Sequence, residues 1–441
     1  MRPVLLVFVA AGLAVAQPAV MRLGLKEAVD LALAPDGNAR ARIAAEMVRQ
    51  AQARSAQARA ALLPNVDASM VTQNQTRNLA AFGIQIQLPI PGFHFPELVG
   101  PFSTLDLRAS ATQSVFDISA IRRYQASRAG LTAARAESDA ARNQVTDAVA
   151  RAYLAALRAR AALESVKANL TVAESLLKLV RSQKAAGTGT GIEVTRAEVQ
   201  LANERQRLLV TENEVARADL QLLRLIGLNL GTKIALTDTL GYAPMDPITI
   251  DAARELARRS RPELKAQQGR EESARLSYSA ARLERVPTLA AFGDYGTIGG
   301  GIDRLLPTRS YGLALRVPLY DGGRRDARRA EAASTLRQEQ IRTKDMEAQV
   351  ELEARLALEA IESAGGQVQT AAEGLKLAEN ELAQARRRYE AGVTTSLETT
   401  DAQARLERAR ENRIAALVSY NAAQIDLNTA LGRAQEFQGG R

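Results

Sequence analysis

Glu398 and Asp401 stand one helical turn apart just after a glycine break, in the stretch RYEAGVTTSLETTDAQARL from Arg388 to Leu406. Carboxylates so placed open a restarting helix, where the helix dipole favours negative charge and a Glu three residues after a Thr completes a capping box. The same arrangement occurs in AAGTGTGIEVTRAEVQL, from Ala185 to Leu201, so Thr190 with Glu193 and Thr395 with Glu398 are two cap candidates, and Gly187 precedes Gly392 by 205 positions. Beyond these acids the chain offers little to catalysis. It has no cysteine, which removes disulfides, thiolate metal sites and thiol nucleophiles. Its single histidine, His94, cannot build a His-based zinc site and could serve only one triad. No nucleophile, base or metal cluster converges, so neither enzyme activity nor a cofactor is expected.

The elements that must position these acids are long helices. Aromatic residues make up only 4% of the 441 residues and tryptophan is absent, while Ala, Arg, Leu and Glu dominate, a composition of coiled coils more than of an ordinary core. From Val145, apolar residues recur at alternating spacings of four and three: Val145, Val149, Ala152, Ala156, Ala159, Leu163, Val166, Leu170, Ala173, Leu177 and Val180. An offset of 205 gives Val350, Ala354, Ala357, Ile361, Ala364, Val368, Ala371, Leu375, Ala378, Leu382 and Ala385, every one aliphatic. The chain is therefore read as an internal duplication. Long helices are expected from near Asp117 and Asp321 to Gly187 and Gly392, roughly 70 residues and about 105 Å each. Return helices follow, the first carrying Val194, Ala197, Leu201, Leu208, Val215, Ala218, Leu222 and Leu225, and they end at Gly227 and Gly432. Arg, Glu and Gln outside the apolar seam are read as solvated faces.

Between the helical parts the period drops to two. In STLDLRASATQSVFD, Leu105, Leu107, Ala109, Ala111 and Val115 alternate with polar residues, and Tyr311, Leu313, Leu315, Val317 and Leu319 do so in the second half. Strands near Asn65–Asn78 and Thr288–Thr297 would pair with these as two hairpins. Ala80–Pro101, which contains His94, is expected to be a long loop. The first residues, MRPVLLVFVAAGLAVAQ, read as a signal peptide over 1–16, too short to span a membrane, and no later apolar run reaches about 18 residues. A membrane form must then be a closed β-barrel, and four strands require several copies of the chain to close one. The expected organisation is a first repeat over 17–227, a connection over 228–249 with Pro244 and Pro247, a second repeat over 250–432 and a short tail over 433–441.

The order of these elements resembles the TolC family of outer-membrane channel proteins. The resemblance rests on LGLKEAVDLAL and its partner ARRSRPELKAQ, on the strand entries ALLPNVDASM and LERVPTLAAF, on QSVFD and VPLYDGGRR at the long-helix starts, and on RYEAGVTTSLETTDAQ at the break. It covers nearly the whole mature chain, in order and in duplicate. It implies a mainly α fold with a membrane β portion: a homotrimer whose twelve strands form one barrel, continuous with a periplasmic tunnel of long helical hairpins. Function would then be passive: an exit duct in the outer membrane, reaching into the periplasm, for a tripartite efflux or type I secretion system. The partners implied are a periplasmic adaptor, an inner-membrane pump and outer-membrane lipid.

The resemblance makes Gly187, Thr188, Thr190, Gly392, Val393, Thr394, Thr395 and Ser396 hairpin tips and adaptor-docking residues at the tunnel mouth. Glu398 and Asp401 would repeat threefold as an acidic ring favouring cations, and Tyr389 and Glu193 would make closing contacts between hairpins. The family's basic residue after the tip glycine is missing, since Val393 and Thr394 stand there. Against this duct stands a secreted coiled-coil scaffold without a pore. The net charge of +9 could suggest nucleic acid, but the Arg residues are scattered among acids along helices, and no nucleic-acid partner is expected.

Overall fold

A computed structural model describes residues 20–83, 97–246 and 248–434. His94, residues 1–16 and residues 435–441 of the expected tail lie outside them. The chain divides into two compact units, one of residues 47–136 and 265–345, the other of the remaining segments.

The first of these contains a four-stranded antiparallel sheet built from β2 (Asn65–Asn78), β3 (Leu98–Phe116), β5 (Thr288–Gly299) and β6 (Leu306–Arg316), in the order β2-β3-β5-β6. The two expected hairpins are thus joined into one sheet, with Leu107 opposite both Met70 and Thr297. Two boundaries differ from expectation. Leu98–Pro101 belongs to β3 rather than to a loop, because it continues the ladder to Arg77 and Asn78. Val317 and Leu319 fall beyond β6, which stops at Arg316, the partner of Thr288 where β5 begins.

Alternation gives the sheet two unlike faces. Val66 and Met70, Leu105 and Leu107, Tyr295, Tyr311, Leu313 and Leu315 share one, and Met70, Tyr311, Leu313 and Leu315 are each about two-thirds exposed or more. The other carries Asp106, Arg108 and Asp294, where the Arg108 guanidinium binds both carboxylates and the Thr308 hydroxyl. No helix among the described residues is long and apolar enough to cross a membrane.

In the same unit lie portions of four helices: α2 (Ala39–Ala60), α3 (Ile118–Ala185), α6 (Pro262–Leu283) and α7 (Arg324–Glu390). The α7 helix begins three residues after Asp321 because Gly322 and Gly323 both take positive φ, 69° and 85°, and turn the chain first. Gly269 lets α6 lie against α3, since a Cβ there would meet the Ala133 Cα at 3.0 Å.

The second unit holds β1 (Met21–Leu23) parallel to β4 (Ile234–Leu236), the helices α1 (Leu25–Leu33) and α5 (Ile250–Ser260), the rest of α3 and α7, and the return helices α4 (Gly191–Ile226) and α8 (Ser396–Ala430). Both heptad stripes behave as their spacing requires: every position is buried or half-buried. The largest cluster packs Val145, Val149, Tyr153 and Ala156 against Leu222, Leu223, Ile226 and the Leu23–Val29 segment. The connection over 228–249 is tied down by side chains. Asp238 Oδ2 accepts the Leu25 amide at 2.8 Å, and Tyr420, Asn421 and Gln424 of α8 donate to the carbonyls of Ala243, Gly241 and Ala243 at 2.8–2.9 Å.

Candidate functional site at the two helical turns

Each long helix stops at a glycine in the left-handed region, Gly187 at φ 80° and Gly392 at φ 71°. The Thr188 and Val393 amides donate back to the carbonyls of Gln183 and Arg388, five residues earlier, and the glycine amides to Lys184 and Tyr389, three earlier. Both turns are therefore Schellman endings, with the left-handed residue where only glycine is unstrained. A Cβ on either glycine would meet nothing within 4 Å, so backbone conformation alone selects the residue.

The return helices begin differently at the two turns. Thr190 is the N-cap of α4, and the Glu193 carboxylate accepts from its backbone amide at 2.9 Å and from its hydroxyl at 3.0 Å. Thr395 is the N-cap of α8, but the expected second capping box does not form. Glu398 turns instead to the Thr394 hydroxyl and to Arg388, with its Oε1 3.5 Å from the guanidinium. A nearby basic residue on the incoming helix outcompetes the cap amide because its charge rewards the carboxylate more than a neutral donor does. Asp401 is exposed and has no ion-pair partner among the described residues.

The two turns meet within one chain. Ser396 at the start of α8 lies beside the Glu193 carboxylate as well, and the Thr190 amide foremost, with the Thr190 hydroxyl and Ser396, holds its pKa below the ordinary glutamate value against the opposing effect of burial. Tyr389 is buried against Leu176 and Val180 of α3, with Val194 of α4 at the edge of the cluster. Its hydroxyl has no hydrogen-bond partner among the described residues, and burial followed by the Glu193 charge pushes its pKa up. Of the residues singled out from sequence, Glu193, Tyr389, Ser396 and Thr190 are thus brought together. Gly187, Thr188, Gly392 and Val393 are exposed at the turns, with Thr394 and Glu398 linked beside them.

A second, polar layer runs from the first turn to about the fourth, and its Glu and Gln, expected on solvated faces, are largely buried. On α8, Ser396, Thr399, Gln403 and Glu407 form one polar stripe, each 7% exposed or less. On α4, Glu204 is fully buried, and with Gln200 and Arg207 it faces Glu407. The signal was present: the apolar spacing of α4 skips from Leu201 to Leu208, and Glu204 occupies the missing seam position. Among the described residues no cluster of acids or histidine could hold a metal ion.

Comparison with known proteins matches the family described as outer membrane efflux protein over residues 32–228 and 253–433. The chain is 26% identical over 394 residues to the pyoverdine export outer membrane protein OpmQ of Pseudomonas putida, covering 88% of this chain and 82% of that one. It is 28% identical over 232 residues to the alkaline protease secretion protein AprF of Pseudomonas aeruginosa, covering 50% of this chain and 46% of the relative. The structure of the outer membrane protein VceC from Vibrio cholerae superposes with a TM-score of 0.78 at 20% identity, over 92% of this chain and 96% of that one.

Proposed function

We propose a homotrimeric exit duct, from the premise that the chain belongs to the outer membrane efflux protein family and is an outer-membrane transport channel, not an enzyme. The observation that carries the trimer is the sheet. It is apolar and exposed on one face, charged on the other, and leaves β2 and β6 as edges without a partner among the described residues. Exposed strand edges in lipid leave backbone groups unsatisfied, and four strands cannot close on themselves. Three copies pairing β6 of one with β2 of the next give twelve strands, lipid against Leu313 and Leu315, and a polar lumen around Arg108.

In this reading residues 1–16 are a cleaved signal peptide, the repeats 17–227 and 250–432 flank the connection 228–249, and the helical hairpins extend into the periplasm. The turns around Gly187 and Gly392 form the mouth that a periplasmic adaptor of an inner-membrane pump grips. Glu398 and Asp401 form the acidic ring. Tyr389 and Glu193 hold the two hairpins of one chain together. Pyoverdine and a protease, the cargoes named for two relatives, share little chemistry, which supports a duct that leaves selection to its pump.

Single-channel recording in planar bilayers tests this. Purified protein, shown by light scattering to be a trimer, is expected to give discrete channels with a cation preference that drops in Glu398→Ala/Asp401→Ala. Well-folded, membrane-extracted protein that forms no channels would overturn the duct and favour a coiled-coil scaffold.

A further inference from the structure

Each helical hairpin is closed internally by apolar side chains near its turn: Ala173, Leu177, Ala197 and Leu201 in one, Ala378, Leu382, Ala385, Ala402 and Leu406 in the other. The seam between the hairpins, where α4 meets α8, is built from polar groups instead. Glu204 lies fully buried there, with Glu407 at 7% exposure beside it. Gln200 Nε2 donates to both carboxylates, at 3.1 Å to Glu204 and 3.3 Å to Glu407, and Arg207 Nη1 does the same at 3.1 and 2.7 Å. One oxygen, Glu204 Oε2, is left buried without a donor among the described residues. Two buried carboxyls are thus gathered around one guanidinium and one amide, and a proton on Glu204 removes one of the two negative charges.

We propose that the buried Glu204 carboxyl carries a proton beside Glu407 at the α4–α8 seam, and that its loss loosens the two hairpins from each other, making the seam a pH-sensitive latch. With that proton the cluster is neutral, two carboxyls and one proton balancing the Arg207 guanidinium. Without it two buried carboxylates face a single cation, at a cost that separation and water entry relieve.

Groups on the surrounding elements reinforce the imbalance. Glu411 on α8 adds a further negative charge. On α3, Asn169 is neutral and accepts from Arg410. The α7 residues clustered with Leu406 are Leu375, Ala378, Leu382 and Ala385, all apolar. Burial first, then Glu407, hold the Glu204 carboxyl above the ordinary glutamate range despite Arg207. The sign follows: a raised acid contributes its stability below its ordinary value and loses it as pH rises through the raised one, so the latch closes in acid and releases on alkalinisation. Gln403, buried at 2% with neither amide atom partnered, and Thr399 beside it, are polar groups that water would satisfy once the seam parts.

Hydrogen exchange of the full-length protein in detergent, corrected for intrinsic rates and read over 200–208 of α4 and 403–411 of α8, tests the latch. Exchange in the wild type is expected to rise about tenfold across a pH range beginning above the ordinary glutamate value. Glu204→Gln, which keeps the shape and the hydrogen bond without the charge, is expected to stay slow throughout, and Arg207→Gln to hold its proton to higher pH. A wild type whose corrected rates do not change, or a Glu204→Gln protein as pH-dependent as the wild type, overturns the proposal. The latch touches conduction only through the duct reading. Because exchange is read on the folded chain whether or not it conducts, failure of the duct and failure of the latch give different results.

Discussion

The Glu193 carboxylate at the start of α4 accepts from the amide and hydroxyl of Thr190 in its own turn, at 2.9 and 3.0 Å, and lies beside Ser396 at the start of α8, so one side chain caps its helix where the two turns of a chain meet. The two Thr190 donors, with Ser396 nearby, hold its pKa below the ordinary glutamate value. The stabilisation is present above the ordinary glutamate pKa and disappears as pH falls through the lowered value. Glu193→Ala removes this cap, and a lost N-cap interaction costs about 1 kcal/mol. Amide exchange over Gly191–Val194 is expected to speed up roughly fivefold at neutral pH, while the wild type approaches the variant only below the ordinary glutamate range. Equal rates at neutral pH would show that the carboxylate caps nothing.

The two members of the proposed acidic ring are not equivalent. Glu398 is occupied by Thr394 and Arg388, whereas Asp401 is exposed and has no ion-pair partner among the described residues. A paired carboxylate contributes less field to a pore than an unpaired one, because the guanidinium cancels much of its charge. Asp401→Asn is therefore expected to remove more of the cation preference than Glu398→Gln. Reversal potentials in a salt gradient would check this. Glu398→Gln losing the larger share would mean that Arg388 swings away in the assembled channel.

Much of this architecture was legible in sequence, and for physical reasons. Helix boundaries at Ala185 and Glu390 follow glycine chemistry, strand spans follow the change of period, and the buried stripes follow from a seam that has no other partner. What escaped notice was governed by tertiary context. β1 and β4 have three residues each, too few for any period to register, and exist because they pair with each other. Glu204 and Glu407 look like any helix acids until both hairpins are placed. The second capping box fails because Arg388, which belongs to the helix before the turn, reaches Glu398; Thr395 and Glu398 have the spacing, but spacing cannot report a competitor.

The glycines at the turns carry a separate expectation. Since space is open around Gly392 and only its φ of 71° is unusual, Gly392→Ala is expected to cost about 1–2 kcal/mol from the left-handed backbone alone. Gly392→Asn should cost less, because asparagine tolerates that region. Thermal unfolding of the two variants is the measurement, and an alanine no worse than asparagine would show that the turn relaxes into another conformation.

Arg108 gives the strongest test of the sheet's two faces. Its side chain, 27% exposed, bridges Asp106 on its own strand, Asp294 on β5 and Thr308 on β6, so one guanidinium stitches three strands on the polar face. Removing it leaves two carboxylates facing the vacated guanidinium site without their shared cation, and Asp106 Oδ1 is already buried without a partner among the described residues. Because the site is partly exposed, Arg108→Ala is expected to lower Tm by less than the loss of a fully buried pair would. Arg108→Lys keeps the charge but loses the fork that spans several acceptors, so it should fall in between. The decisive comparison is Arg108→Met with Asp294→Asn. If repulsion between stranded carboxylates is the cause, the double variant recovers part of the fall in Tm seen for Arg108→Met alone; if the damage is lost packing, the second substitution recovers nothing.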